Sequence, residues 1–157
     1  SIRAEAGRRL SLALGTEGMI GGQALDLAAP GAGVDLDRLE KIHSRKTGSL
    51  FIASAEVGAI LGRAPREERE ALASFAKNLG LAYQIVDDLL DATATPEAIG
   101  KPVLSDHRGN FVDLAGVEGA RRLARELSDC AVGHLAILGS RGALLSGFAS
   151  EMVLRER

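Results

Sequence analysis

The sequence predicts an all-α protein, and three observations carry that expectation. Apolar residues recur at spacings of three and four along most of the 157 residues. Runs rich in Val, Ile and Thr with a period of two are missing. The residues that end helices fall between the periodic stretches.

Five helices follow in order, near residues 3–28, 36–62, 66–94, 117–138 and 141–155. Pro30 and Gly31 close the first, and Asp37 with Glu40 has the spacing of a capping box at the second. Pro65 precedes the third, and Gly139 follows the fourth. Residues 95–116 contain two of the four prolines and no helical period. A stretch of about 22 residues exceeds a plain connector in a compact domain, so it is a functional-loop candidate. Internal repeats and low-complexity tracts are absent from the sequence.

With 46% hydrophobic and 25% charged residues and a net charge of -2, residues 1–157 read as one soluble domain. Such a balance has no general attraction for nucleic acid or an anionic membrane, so any phosphate binding must be local. One cysteine excludes an internal disulfide; Cys130 lies in a helical pattern and is expected to be a buried, inert thiol in a reducing cytoplasm. No apolar run approaches the ~20 residues of a membrane span. The sequence starts at Ser1 rather than Met, which reads as a processed or partial product.

In the third helix, YQIVDDLLD sets three carboxylates inside an apolar run. At about 100° per residue, Asp87, Asp91, Gln84, Lys77 and Asp88 share a stripe about 100° wide. Leu79, Leu81, Ile85, Val86, Leu89 and Leu90 fill the remainder, so packing is expected over most of the circumference. Three carboxylates within two turns repel one another. A divalent cation with oxygen ligands would compensate them, and Mg²⁺ is held by one or two carboxylates together with substrate phosphates and waters. A solvated acidic face is the plainer reading of a bare DDxxD. The narrowness of the stripe and the presence of Gln84, a good partner for an oxyanion, favour the ligand.

In the second helix Lys46 falls within about 40° of Leu39, Ile42, Leu50, Ala53 and Val57, at the centre of an apolar face. An unpaired ammonium there is costly. It either snorkels to the surface or reaches an anion, for which Lys is a recurrent partner. Thr47 and His43 flank it, although His43 also reads as a core histidine. In GGQALDL, Gln23 and Asp26 lie three apart and share a face, and the preceding glycine pair admits a close backbone or ligand. Lys101 follows the acidic helix closely enough to fold back over its end.

The order GGQALDL, IHSRKTGSL, LGLAYQIVDDLLD, IGKP and SDHRGNFVDLAG resembles the trans-isoprenyl diphosphate synthases of the polyprenyl synthetase family, from about Gly15 to Arg125. The resemblance implies a helical bundle of the isoprenoid synthase type. It implies Mg²⁺ held by Asp87, Asp88 and Asp91. It further implies diphosphate contacts from Lys46, Thr47, Gln84 and Lys101, with Gln23 and Asp26 lining the same cavity. The implied substrates are isopentenyl diphosphate and an allylic prenyl diphosphate, joined through an allylic carbocation, in a cytoplasmic homodimer or heteromer. On this resemblance Asp87, Asp88, Lys46, Thr47 and Gln84 should face one cavity.

Members of that family carry a second, earlier aspartate motif, and no such sequence precedes Asp26. The resemblance therefore covers a C-terminal part whose N-terminal helices are expected to be missing, and the chain-length determinants lie with them. Asp106-His107-Arg108-Gly109-Asn110 stands where a Gly-Lys-x-Thr-like stretch is usual, with Arg108 as the candidate replacement for its lysine. Three readings remain: a piece of a synthase, a half-synthase that needs a partner, or a non-catalytic regulatory subunit. A terpene cyclase should show a second metal motif after Asp91, and none is found. A helical binding module without chemistry leaves Lys46 unexplained.

Overall fold

Ser1 caps α1 (Ile2–Leu14), its hydroxyl accepting the Ala4 N–H at 3.4 Å. Extended backbone at Gly15 then breaks the chain before α2 (Met19–Leu27), so the single helix expected over 3–28 is two. The computed structural model describes residues 1–28, 35–93 and 109–155, and among these it contains helices and no strand. The expected closure of the first helix by Pro30 and Gly31 lies outside the described residues.

α3 (Leu36–His43) is capped by Asp35, whose carboxylate accepts the Arg38 N–H at 2.8 Å, and not by Asp37 as the spacing to Glu40 suggests. Asp37 falls inside the first turn, where a negative charge still favours the helix N-terminus. A π-helical turn, Ser44–Gly48, leads without a break into α4 (Ser49–Leu61). Pro65 precedes α5 (Arg66–Thr93), the longest element.

α6 (Phe111–His134) opens with a capping box: Asn110 accepts from the Asp113 N–H at 2.8 Å, and the Asp113 carboxylate accepts from the Asn110 N–H at 3.2 Å. Its first turn lies in the stretch expected to be loop, because Gly116, at φ 69°, ψ 166°, interrupts the helical period. A 3₁₀ segment, Leu135–Gly142, follows where helix was expected to run on to 138, and α7 (Ala143–Val153) ends the described fold.

α5 is the central element, packed chiefly between α4 and α6. One half of its buried face, Phe75, Ala76, Leu79 and Ala82, meets Ala131, Leu135, Ala149 and Met152. The other half, Ile85, Val86 and Leu89, meets Leu39, Phe111, Ala120 and Ala124. The alanines let the helix axes approach closely, and the buried Ser128 hydroxyl satisfies the Ala149 carbonyl at 3.0 Å between α6 and α7. With Ala120, Ala124, Ser128 and Ala131 on the inner face of α6, Cys130 is turned outward and is exposed, which corrects the buried thiol expected from its apolar surroundings. Among the described residues no helix is long and apolar enough to cross a membrane.

Candidate functional site

Two glycines bring three backbones together at the π-helical turn. Gly22 of α2 is buried, and a Cβ there would stand 2.2 Å from Lys46 N and 2.6 Å from its Cα. Gly80 of α5 lies against the other side, where a Cβ would meet Gly48 Cα at 3.3 Å and Phe51 Cβ at 3.2 Å. The Gly22 contact needs a residue without a side chain, whereas at Gly80 a Cβ would require its neighbours to give by a few tenths of an ångström. The turn they enclose carries Lys46 and Thr47, and its extra residue per turn re-aims both relative to a regular helix.

The Lys46 ammonium donates to Asp26 Oδ2 at 2.7 Å. Asp26 is thus the partner that a lysine on an apolar face requires, and the pair is partly buried. Thr47 Oγ1 donates to Gln84 Oε1 at 3.2 Å, and Gln84 Nε2 donates to Asp88 Oδ1 at 3.3 Å. Asp88 Oδ2 accepts the Phe111 backbone N–H at 2.9 Å. One chain of hydrogen bonds therefore runs from α4's approach, across α5, to the first residue of α6.

The three aspartates are not equivalent. Asp87 and Asp91 are exposed, whereas Asp88 is 9% exposed and both of its oxygens accept N–H bonds. On the wheel Asp88 stands at the edge of the acidic stripe, and in the fold α6 covers that edge. Burial pushes the Asp88 carboxyl up to about 6 against the Phe111 and Gln84 bonds, which pull it down. Burial and then the neighbouring Asp91 raise Asp87, opposed by Arg155, Gln84 and Lys46. The Lys46 charge is the weakest of these influences on Asp87.

His43 completes the seam. Its ring packs on Phe111 with centroids 5.6 Å apart, and Nδ1 is buried without a partner among the described residues. Burial, with help from Lys46, lowers its pKa to about 4 against Asp26 and Gln84. It is a neutral core imidazole, without the Nδ1 hydrogen bond expected of one.

Lys46, Thr47, Gln84, Asp26 and the aspartate helix are therefore brought together. Gln23 is exposed and outside the network. Lys101 and Arg108 lie outside the described residues. The sequence reading missed the Phe111 amide, although Asn110 and Asp113 carry a legible capping pattern that places a helix start there.

An apolar groove of about 590 Å³ lies along the α4–α5 seam, with Phe51, Ala55, Leu72 and Phe75 on its walls and Phe148 of α7 at its side. Phe51 also packs on Tyr83, with ring centroids 5.5 Å apart, next to Gln84.

The polyprenyl synthetase family model matches residues 11–125, which include all of these polar groups. The chain belongs to the polyprenyl synthetase family. The farnesyl diphosphate synthase of Geobacillus stearothermophilus is 37% identical over 159 aligned residues, covering 99% of this chain and 54% of the relative. A solved FPP/GFPP synthase from Zymomonas mobilis is 37% identical with a TM-score of 0.84, covering 96% of this chain and 51% of that one. The geranyltransferase of Helicobacter pylori, solved with magnesium and isoprenyl diphosphate, is 32% identical with a TM-score of 0.79, covering 98% and 51%. The chain thus spans about half the length of these members of the polyprenyl synthetase family. The isoprenoid synthase type of helical fold and its C-terminal half, both expected from the motif order, are borne out.

Proposed function

We propose that this chain supplies the diphosphate-binding wall of a prenyltransferase that condenses isopentenyl diphosphate with an allylic prenyl diphosphate. The carrying observation is the convergence of Lys46–Asp26 and Thr47–Gln84–Asp88 on one face of an otherwise apolar seam. Lys46 offers a point charge and Gln84 the second N–H of its amide to phosphate oxygens, and Thr47 offers its hydroxyl once that turns away from Gln84 Oε1. Lys101 joins them by resemblance, which also has Gln23 and Asp26 lining the same cavity.

The cofactor in this reading is Mg²⁺. Asp87 and Asp91 are exposed hard-oxygen donors one helical turn apart, and the charge of Asp91 adds to the burial that raises the Asp87 carboxyl, a repulsion that a cation would relieve. Among the described residues no three His, Cys, Asp or Glu side chains form a cage. That fits a cation whose shell is completed by phosphate and water rather than by protein. The magnesium in the Helicobacter pylori geranyltransferase supports the same choice. When bound, the ion supplies charge stabilisation and orientation to the leaving diphosphate.

In this reaction the allylic C–O bond breaks and diphosphate leaves with the bonding pair. The double bond of isopentenyl diphosphate attacks the carbocation, and a proton is then lost. The ammonium, hydroxyl and amide of Lys46, Thr47 and Gln84 stabilise charge as it develops on the leaving oxygen. No nucleophilic side chain is required. The working form in this proposal is a cytoplasmic homodimer or heteromer.

A second reading is a non-catalytic or regulatory subunit of a heteromeric synthase; the chain spans about half the length of the relatives it matches. Incorporation of labelled isopentenyl diphosphate into a longer prenyl diphosphate separates the two. Turnover by this chain that Asp87→Asn abolishes supports the enzyme. Absence of turnover with pyrophosphate binding retained means that the chain is half of a prenyltransferase whose other half must be supplied, and turnover that stays absent when a first-motif half is added supports the subunit.

A further inference from the structure

We propose that Asp88 is a positioning residue, which clamps the first amide of α6 onto α5 and sets the Gln84 amide, leaving the cation-facing role to Asp87 and Asp91. The cation part rests on the Mg²⁺ reading above; the clamp does not.

The argument starts from the orphan donors of a helix N-terminus. The first N–H groups of α6 have no partner inside the helix. Asn110 satisfies the Asp113 N–H, and Asp113 returns the bond to Asn110. The Phe111 N–H, at the first helical position, is satisfied by Asp88 Oδ2 at 2.9 Å, a buried bond between residues 23 apart in sequence. A carboxylate at that end also meets the positive pole of the helix.

Phe111 is buried beneath His43, so moving its amide disturbs the packing of α3 against α6. On the opposite side Asp88 Oδ1 is purely an acceptor when ionised, which obliges Gln84 to present its NH₂ and turns Gln84 Oε1 to Thr47. Asp88 therefore orients a diphosphate-binding amide without facing the diphosphate itself. Asp87 and Asp91, exposed on the same helix, hold no backbone amide among the described residues.

The test uses the 157-residue chain, Asp88→Asn, Asp88→Ala and Asp87→Asn, with two readouts. Hydrogen exchange at the Phe111 amide reports the clamp. Calorimetry with inorganic pyrophosphate, with and without Mg²⁺, reports the cation as the ratio of the two affinities. Asp88→Asn keeps an acceptor for Phe111, so exchange and the Mg²⁺ ratio both stay near wild type. Asp88→Ala speeds Phe111 exchange about tenfold or more. Asp87→Asn leaves exchange unchanged and brings the ratio close to one.

Loss of the ratio in Asp88→Asn with Phe111 still protected would overturn the proposal, because Asp88 would then be a ligand. Equal Phe111 exchange in wild type and Asp88→Ala would overturn the clamp. Should Asp88→Ala not fold, the Asp88→Asn ratio still decides the cation part, and a wild-type Phe111 amide that exchanges as fast as an unbonded one overturns the clamp. A wild-type chain with no Mg²⁺ effect would sink the metal reading, with the clamp judged by exchange alone.

Discussion

The Lys46 ammonium lies 2.7 Å from Asp26 Oδ2, joining the π-helical turn to α2. The side chains of the pair are 36% and 21% exposed, so solvent screens it and its contribution to stability is modest. Its larger consequence is for ligands, since an anion arriving at Lys46 must share the charge with Asp26.

Lys46→Met is expected to lower pyrophosphate affinity about tenfold or more while stability changes by about 1 kcal/mol or less. Asp26→Asn releases the lysine and is expected to raise Mg²⁺-free pyrophosphate affinity a few-fold. Calorimetry on both variants checks this; unchanged affinity in Lys46→Met would remove Lys46 from the site.

The pH dependence of stability without metal has two opposed parts. Asp88 is raised from 3.8 to about 6, so its contribution is full below about 3.8 and is lost as pH rises through about 6. His43 is lowered from 6.5 to about 4, so its contribution is full above 6.5 and is lost as pH falls through about 4. Each spans a few kcal/mol, and in wild type they offset. Asp88→Asn should lose stability steadily from pH 6.5 to 4, and His43→Gln should gain it from pH 6 to 4. Urea unfolding in EDTA across that range checks both, and parallel curves for the three proteins would refute the assignment.

Gly22→Ala should cost about 1–3 kcal/mol, because its Cβ would stand 2.2 Å from Lys46 N and must push α2 off the turn. The displaced helix carries Asp26 with it, so Lys46 should lose its partner. Denaturant unfolding and a structure of the variant test this. A native midpoint would mean that the helices separate more easily than their packing suggests.

The groove along α4 and α5, and Leu144 of α7, which is 84% exposed, leave apolar surface open. Sedimentation of the isolated chain should show concentration-dependent association, which Phe148→Lys together with Leu144→Glu should reduce. A monomer at high concentration would contradict it.

Much of this was legible beforehand. Pro65 marks the start of α5, and the spacing of Ile85, Val86 and Leu89 identifies its inner face, because both effects are local to a few turns. Lys46 is anomalous on its apolar face, which leaves open a chain that snorkels or one that reaches an anionic ligand; the fold places Asp26 against it instead. The break at 15–18 was not legible, since GTEG sits between apolar residues that keep the helical period on either side. The cap at Asp35 was displaced by the better-known spacing of Asp37 and Glu40. Cys130 was misplaced because apolar neighbours in sequence say little about which side of α6 meets the core.

By itself the sequence determined the helical class, the order of the motifs and the residue types able to hold a diphosphate, since helical periodicity and side-chain chemistry are local properties. Tertiary structure alone decided that Asp26 pairs with Lys46, that Gly22 and Gly80 close on one π-helical turn, and that Asp88 differs from Asp87 and Asp91. The physical reason is that pairing, burial and desolvation depend on which backbone from a distant part of the chain approaches. The Phe111 amide, 23 residues beyond Asp88, makes a buried acceptor of one carboxylate in an acidic run whose outer members remain in water.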